Sequence, residues 1–376
     1  NRPCAPVRVL FLRSGRDKSK STFDFLFPVL KARRLLLDLG YEIEVSSDLS
    51  GASGRCDVLC VLSSCVRYHH DDAKFMDRLR SNMDTADRSL FFDTSDSAGG
   101  LYGSVLECCH RYLKKQVYAD RGLYRQSAGD ARLHFDFYKT QHDIEYPTLR
   151  RPVVSEEISA SLGVSWNLGL GDYRDLPMSL PGALDVMRRL QVRWLGRPID
   201  VVGFRHRYAD PGRPGRDVDV MGCFSTHGSV PPLAAHRRQS RDVLEEMSEQ
   251  LSVVTGFLKT REYCDVLRRS KASVCPFGWG EITWRDFETF LRGIAVVKPD
   301  MGHVETWPDY FLPGATYLPY SWDASDLAEV LSRALGEPDE LEQIARRGQD
   351  RFRRHDVLEN PDPFVERFRN VIEAAT

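Results

Sequence analysis

Lysine is scarce in this chain: ten of its 52 basic residues, the others being arginine. That bias follows genome composition more readily than it follows a need for forked contacts to phosphate, although it supplies both. Charge of one sign is lacking too. The formal net charge of −2 removes the basic footprint of a nucleic-acid-binding protein. No apolar run reaches the length of a membrane span, and no signal peptide opens the sequence. The first residue is Asn1 rather than Met, as expected of a processed chain or a piece of a longer protein. Nine cysteines include the neighbours Cys108 and Cys109 but no CxxC pair. An odd number without a framework speaks against structural zinc and for a reducing compartment, hence a cytoplasmic location. The loop after the first apolar run contains Gly15 without the GxGxxG spacing, so it is not a dinucleotide fingerprint. Internal repeats and low-complexity tracts are absent.

What is present is regular β–α alternation in a chain of 376 residues, 42% of them hydrophobic, enough for two cored domains. Strands are expected at Val7 to Leu12, Tyr41 to Ser46, Cys56 to Leu62 and Ser89 to Phe92. Helices are expected at Phe23 to Leu39, Asp71 to Met83 and Tyr102 to Tyr118. This alternation describes a parallel, doubly wound sheet. Ala131 to Phe137 and Val164 to Leu170 read as strands, and Pro181 to Leu190 as a helix. The stretch at 201–216, rich in Arg, Pro and Gly, reads as a linker. A second β–α series follows: strands at Val218 to Phe224 and Leu251 to Thr255, helices at Pro232 to Gln250 and Arg261 to Arg269. Amphipathic helices close the chain at Ala324 to Leu335, Asp339 to Arg353 and Asp362 to Ala375. The expected domains are 1–200, 217–356 and a terminal segment 357–376 that packs back on the first.

The most informative stretch is Lys271 to Glu305. Ala272 to Pro276 reads as a buried strand and Phe277-Gly278-Trp279-Gly280 as a turn. A helix opens near Thr283, with Asp286 placed for a capping box. Phe287, Phe290 and Leu291 mark its buried face, and Gly293 ends it. Ile294 to Val297 is a second strand, leading to a loop with Gly302 and His303. Two loops therefore lie at the carboxyl ends of neighbouring parallel strands, where open α/β sheets bind ligands. Glu281, Arg285 and Glu288, at spacings of four and three, can share the polar side of the first helical turn. Such a set suits sugar hydroxyls and a diphosphate; ordinary surface ion pairing is the alternative.

This segment resembles the donor-site signature of GT-B glycosyltransferases, above all the retaining nucleotide-sugar enzymes. Glu288-Thr-Phe-Leu-Arg-Gly293 fits the second half of that signature, and Glu281 stands for its first Glu, with six intervening residues where the family has seven. Arg285-x-x-Glu288 also resembles exostosin-type and CgeB-like enzymes. The likeness spans roughly residues 216 to 350. It implies two Rossmann-like domains facing a central cleft, with a nucleotide sugar held by the second and a glycan or small-molecule acceptor by the first. It implies no obligatory metal and no other cofactor; nucleic acid is not an expected partner, and peripheral membrane contact is compatible with the reading.

On this reading Glu281, Arg285, Asp93 and Asp96 are the catalytic candidates. Glu288, Gly278, Gly280, Thr226, Arg238, Gly256, Gly302 and His303 are the donor-binding ones. Arg237, Arg238 and Arg241 lie near a helix start where similar enzymes hold the diphosphate, and a solvated basic face is the bland alternative. Gly256 opens a turn resembling the one that touches the nucleobase. Asp93 or Asp96 could act as base for an acceptor hydroxyl, or cap a turn. His69-His70-Asp71-Asp72 has a metal-like composition but reads better as a helix cap. Trp279 and Trp284, flanking Glu281, either stack on a ligand or pack in the core. A sugar-nucleotide 2-epimerase and a non-catalytic nucleotide-sugar-binding subunit remain as alternatives.

Overall fold

The computed structural model describes residues 5–127, 129–173, 205–227 and 230–374. The expected helix at 181–190 and the start of the linker lie outside them.

The first sheet grows from six buried or half-buried apolar segments. Val7–Leu12 (β1), Tyr41–Ser46 (β2), Val58–Leu62 (β3), Ser89–Asp93 (β4), Arg111–Lys114 (β5) and Gly163–Val164 (β7) pair in the order β2-β1-β3-β4-β5-β7. All five pairings are parallel. Helix Lys20–Asp38 (α1) starts where Ser19 accepts a hydrogen bond from the Thr22 N–H, and stops at Gly40, whose φ of +89° a side chain would resist. Ser64–Arg67 (α2) and Ala73–Thr85 (α3) follow β3. The cap of α3 is Asp72, one residue later than the sequence pattern suggests.

Three expectations fail here. The stretch 102–118 is not a helix: after a short turn at Gly103–Val105 it forms β5 and then Gln116–Tyr118 (β6). Its apolar residues fit a helical spacing, but Tyr112 and Leu113 are buried as strand residues in the first sheet, and Val117 and Tyr118 as strand residues of β6, outside that sheet. The alternating run at 131–137 is not a strand: Leu133–Gln141 (α4) is helical and buries His134, Phe135 and Tyr138 together. Of the strand expected at 164–170, only Val164 pairs; Leu168–Leu170 is a single 3-10 turn capped by Asn167. Glu156–Ser161 (α5) precedes it.

The second sheet is also parallel, in the order β13-β11-β10-β8-β9. Its strands are Val218–Gly222 (β8), Val253–Thr255 (β9), Ser270–Val274 (β10), Ala295–Pro299 (β11) and Leu318–Tyr320 (β13). Helices Pro231–Met247 (α6), Thr260–Arg269 (α7), Trp284–Leu291 (α8), Leu327–Gly336 (α9) and Pro338–Arg354 (α10) cover it. The last helix, Asp362–Glu373 (α11), returns to the first sheet: Phe364, Phe368 and Val371 share a core with Phe11, Phe25 and Trp166.

A third, two-stranded element joins the halves. Val304–Thr306 (β12), beyond β11, pairs antiparallel with β6 in the register Val304↔Tyr118, Glu305↔Val117, Thr306↔Gln116. No described helix is long and apolar enough to cross a membrane. The described cysteines are all free thiols.

Candidate donor site at the seam of the two sheets

Helix α8 opens as its sequence dictates. Asp286 accepts the Thr283 N–H at 2.8 Å, the acidic half of the capping box, and its other oxygen pairs with buried Lys298 at 3.1 Å. This ion pair pins the helix start to β11 and removes Lys298 from any role toward ligand. Gly293, with φ +60°, terminates the helix against the Ala209 carbonyl.

The glycine loop before it is shaped by the first sheet. A Cβ on Gly280 would sit 1.7 Å from the Asp96 carbonyl oxygen, so the two backbones touch there. The glycine serves this contact. Gly278 instead faces Thr283 and the Arg237 guanidinium. Its carbonyl lies 3.3 Å from His134 Nε2, which therefore carries the proton.

Glu281 does not share the helix face with Arg285. It is fully buried and turned toward the first sheet, where its Oε2 accepts from the Ala98 N–H at 3.1 Å and from Gln116 at 3.3 Å. Its Oε1 has no hydrogen bond; His134 Nδ1 lies 3.9 Å away and His303 Nε2 4.0 Å. Burial raises the pKa of Glu281, and burial lowers those of His134, to about 3, and His303, to about 4. Both imidazoles are thus neutral near pH 7. His303, half-buried, stands edge-on to Trp322 at 4.7 Å.

Arg285 and Glu288 do come together, through Tyr263 of α7. The Tyr263 hydroxyl donates to Glu288 Oε2 at 2.8 Å. Arg285 donates to the Cys223 carbonyl at 2.7 Å, at the end of β8. Half-buried Arg237 donates to the carbonyls of Phe277 at 3.3 Å and Ser225 at 3.2 Å. Burial and the nearby Arg285 charge push the Arg237 pKa down to about 10. Two guanidiniums thus lie close together with hydrogen bonds to neutral carbonyls, a setting that favours an incoming anion. From α1, Lys20 lies over the Trp284 ring at 4.9 Å and pairs with Asp24, which also accepts the Trp284 indole N–H. Trp284 is therefore a seam residue, and half-exposed Trp279 packs against Phe135.

Other candidates fall elsewhere. Asp93 is fully buried and holds Lys114 at 2.5 Å and the Tyr112 hydroxyl at 2.8 Å, both on neighbouring β5. Burial is the largest influence and works against its charge, but Lys114 and the hydrogen bonds from Ser95 together outweigh it and leave the pKa lowered. A carboxylate so committed is not a base for an acceptor. Asp96 remains at the seam, its half-exposed carboxylate 3.1 Å from Lys115. Arg238 is exposed; it is Arg237, one residue earlier on α6, that faces the loops. Thr226 is buried after β8, and no hydrogen bond to its side chain occurs among the described residues. Gly256 ends β9 with φ +95°, open space around it. Gly302 takes part in a turn in which its N–H donates to Asp300. His69, rather than joining a metal cluster, stacks on Phe75 at 3.9 Å and bonds Ser14. No group of three potential metal-ligating side chains occurs among the described residues.

Sequence reasoning missed His134, Tyr263 and Gln116. His134 hides in an alternating apolar run. Tyr263 with Val266 and Leu267 reads as an inward helix stripe, and Gln116 carries no motif at all.

Residues 222–360 match the family described as glycosyl transferase-like. No curated protein matches the chain. Among solved structures, the chain is similar to HepE of Anabaena in complex with UDP-glucose, with 11% identity, 97% and 100% of the two chains covered and a TM-score of 0.41. It is similar to a glycosyltransferase from Rickettsia africae at 8% identity, 98% of each chain and 0.46. Sucrose-phosphate synthase from Thermosynechococcus elongatus gives 12%, 98% of each chain and 0.42. The match to the glycosyl transferase-like family covers the part of the chain that carries Arg237, Tyr263, Arg285 and Glu288, in a chain with two parallel sheets.

Proposed function

We propose that this protein transfers a glycosyl group from a nucleotide sugar to a hydroxyl of a glycan or small-molecule acceptor. The observation that carries this reading is the pair of guanidiniums, Arg237 and Arg285, bonded to neutral carbonyls beside the carboxylate of Glu288. In the proposed complex the guanidiniums hold the diphosphate and stabilise it as it leaves. Glu288 takes the ribose hydroxyls. Gly256 borders the base. Glu281 and His303 face the transferred sugar. Gly278, Gly302 and Thr226 line the loops around it, and Asp96 borders the acceptor side.

A retaining course fits best. Asp93 is locked to Lys114 and is not offered to an acceptor, and in a retaining course the donor phosphate itself takes the acceptor proton. No divalent ion takes part in this scheme, since the arginines supply the positive charge. The test is thermal-shift screening against UDP, GDP, ADP, CMP and TDP sugars, including UDP-glucose, followed by a transfer assay with EDTA present. A ligand that binds only the native state raises the unfolding midpoint. A chain that no nucleotide sugar stabilises would end this reading.

A further inference from the structure

Glu288 has one carboxylate oxygen fixed and one free. Oε2 accepts the Tyr263 hydroxyl, and no hydrogen bond to Oε1 occurs among the described residues. Tyr263 comes from α7, outside the stretch that carries the glycosyltransferase signature. Its ring packs on the cluster of Met221, Cys223, Leu267 and Ile294, so the sheet, not the glycine loop, sets the position of its hydroxyl. Glu288 has several cations within electrostatic reach. Arg285 and Arg292 lie on or just after its own helix, and Lys20 reaches it from α1. A glutamate with three side-chain torsions would swing toward any of them; a single well-placed donor prevents that.

We propose that Tyr263 is a positioning residue for donor recognition: its hydroxyl holds Glu288 so that the free Oε1 meets the vicinal diol of the nucleotide-sugar ribose. This rests on the donor-site reading given above. The phenol donates one proton to one oxygen, which leaves the other oxygen's lone pairs for a diol. It also holds the carboxylate off Arg285, keeping that guanidinium for phosphate.

The role has an electrostatic consequence. Burial raises the Glu288 pKa, and Tyr263, Arg285, Lys20 and Arg292 act against burial; Tyr173 also lies within reach. Removing the phenol leaves burial less opposed. The carboxylate then protonates at higher pH, and donor recognition fails earlier on the acid side.

The experiment compares Tyr263→Phe, Glu288→Gln and the double variant with the parent. Phenylalanine keeps the ring packing, so folding survives. The expected result is a donor KM raised about tenfold with little change in kcat, the scale of a hydrogen bond to a charged group. The acid limb of kcat/KM moves to higher pH, and so does the Glu288 carboxyl titration followed by 13C NMR in the donor-free protein. The double variant is no worse than Glu288→Gln alone. Parental KM and an unmoved titration in Tyr263→Phe overturn the proposal. So does a Tyr263→Phe penalty that persists undiminished in the Glu288→Gln background. Should no sugar nucleotide bind the parent, the donor reading falls by itself; the donor-free titration then still decides whether Tyr263 holds Glu288.

Discussion

Replacing Glu288 by glutamine preserves shape and removes charge, so its effect isolates the carboxylate. Glu288→Gln is expected to lower kcat/KM for the nucleotide sugar about a hundredfold, on the order of 3 kcal/mol, with an unchanged far-UV spectrum. Equal donor kinetics in variant and parent would take Glu288 out of the site. Arg285→Lys asks a different question. The guanidinium spans from the Cys223 carbonyl toward Tyr263 and the loop, a reach that one ammonium does not reproduce. Catalytic efficiency should fall tenfold or more, about 1.4 kcal/mol, with little change in melting temperature. Intact activity with a lower melting temperature would make Arg285 a structural residue. Spacing, together with the resemblance carried by Glu288 to Gly293, brought Arg285 and Glu288 into view, because helix geometry relates positions three apart. It misassigned Glu281, which precedes the helix and obeys no helical periodicity. Asp93 was legible as a strand-end carboxylate; its lock to Lys114 depends on which strand lies alongside, and no local pattern carries that information.

Elements with strong periodicity and a cap were readable: β1 and β2 fall at the expected limits, and α8 begins at its Thr283 capping box. Those at 102–118 and 131–137 were not. There an apolar spacing served two secondary structures, and tertiary packing chose between them. Gly280 shows how an element can be constrained by one outside its own sheet. Gly280→Ala forces a methyl into the Asp96 carbonyl and must push the loop or the first sheet aside. Lower thermal stability and a raised donor KM together are the expected outcome. Gly256→Ala differs: open space surrounds it, and only the backbone strain of φ +95° opposes the change. A Gly280→Ala protein with parental stability would show that the seam is looser than drawn. Phe368→Ala in α11 should cost about 3–5 kcal/mol in urea unfolding, since this buried ring packs on Phe11 and Tyr41 in the first core.

At the scale of the molecule, the seam is built from neutral imidazoles. His134, His236 and His303 surround the Phe277 ring, and burial lowers the pKa of each. A histidine whose native pKa lies below its unfolded value near 6.5 binds more protons when unfolded. Its contribution is therefore neutral above pH 6.5 and becomes destabilising as pH falls below that. Glu281, Asp286 and Glu288, with raised pKa values, act oppositely in the more acidic carboxylate range. His236 is the cleanest probe: its Nε2 accepts the Phe277 N–H at 3.0 Å, an acceptor that glutamine can mimic, and the titratable groups facing it are the neutral His134 and the cations Arg237 and Lys298. Relative to the parent, His236→Gln should gain stability as pH falls from 7.5 to 5.5. A constant difference across that range would show that His236 does not titrate on unfolding.

The β6–β12 ribbon bears on how such a protein can be re-engineered. Donor specificity in a two-domain enzyme invites the exchange of one half for a homologous half. Here the graft would not be modular. A transplanted second half must supply Val304–Thr306 in register with Gln116–Tyr118, and the terminal helix must still complete the first core. A chimera cut at the linker alone would set a foreign β12 against β6 and a foreign terminal helix against the first core. The workable crossover is a discontinuous one that keeps both β12 and α11 of the recipient while replacing the segments between them and the linker.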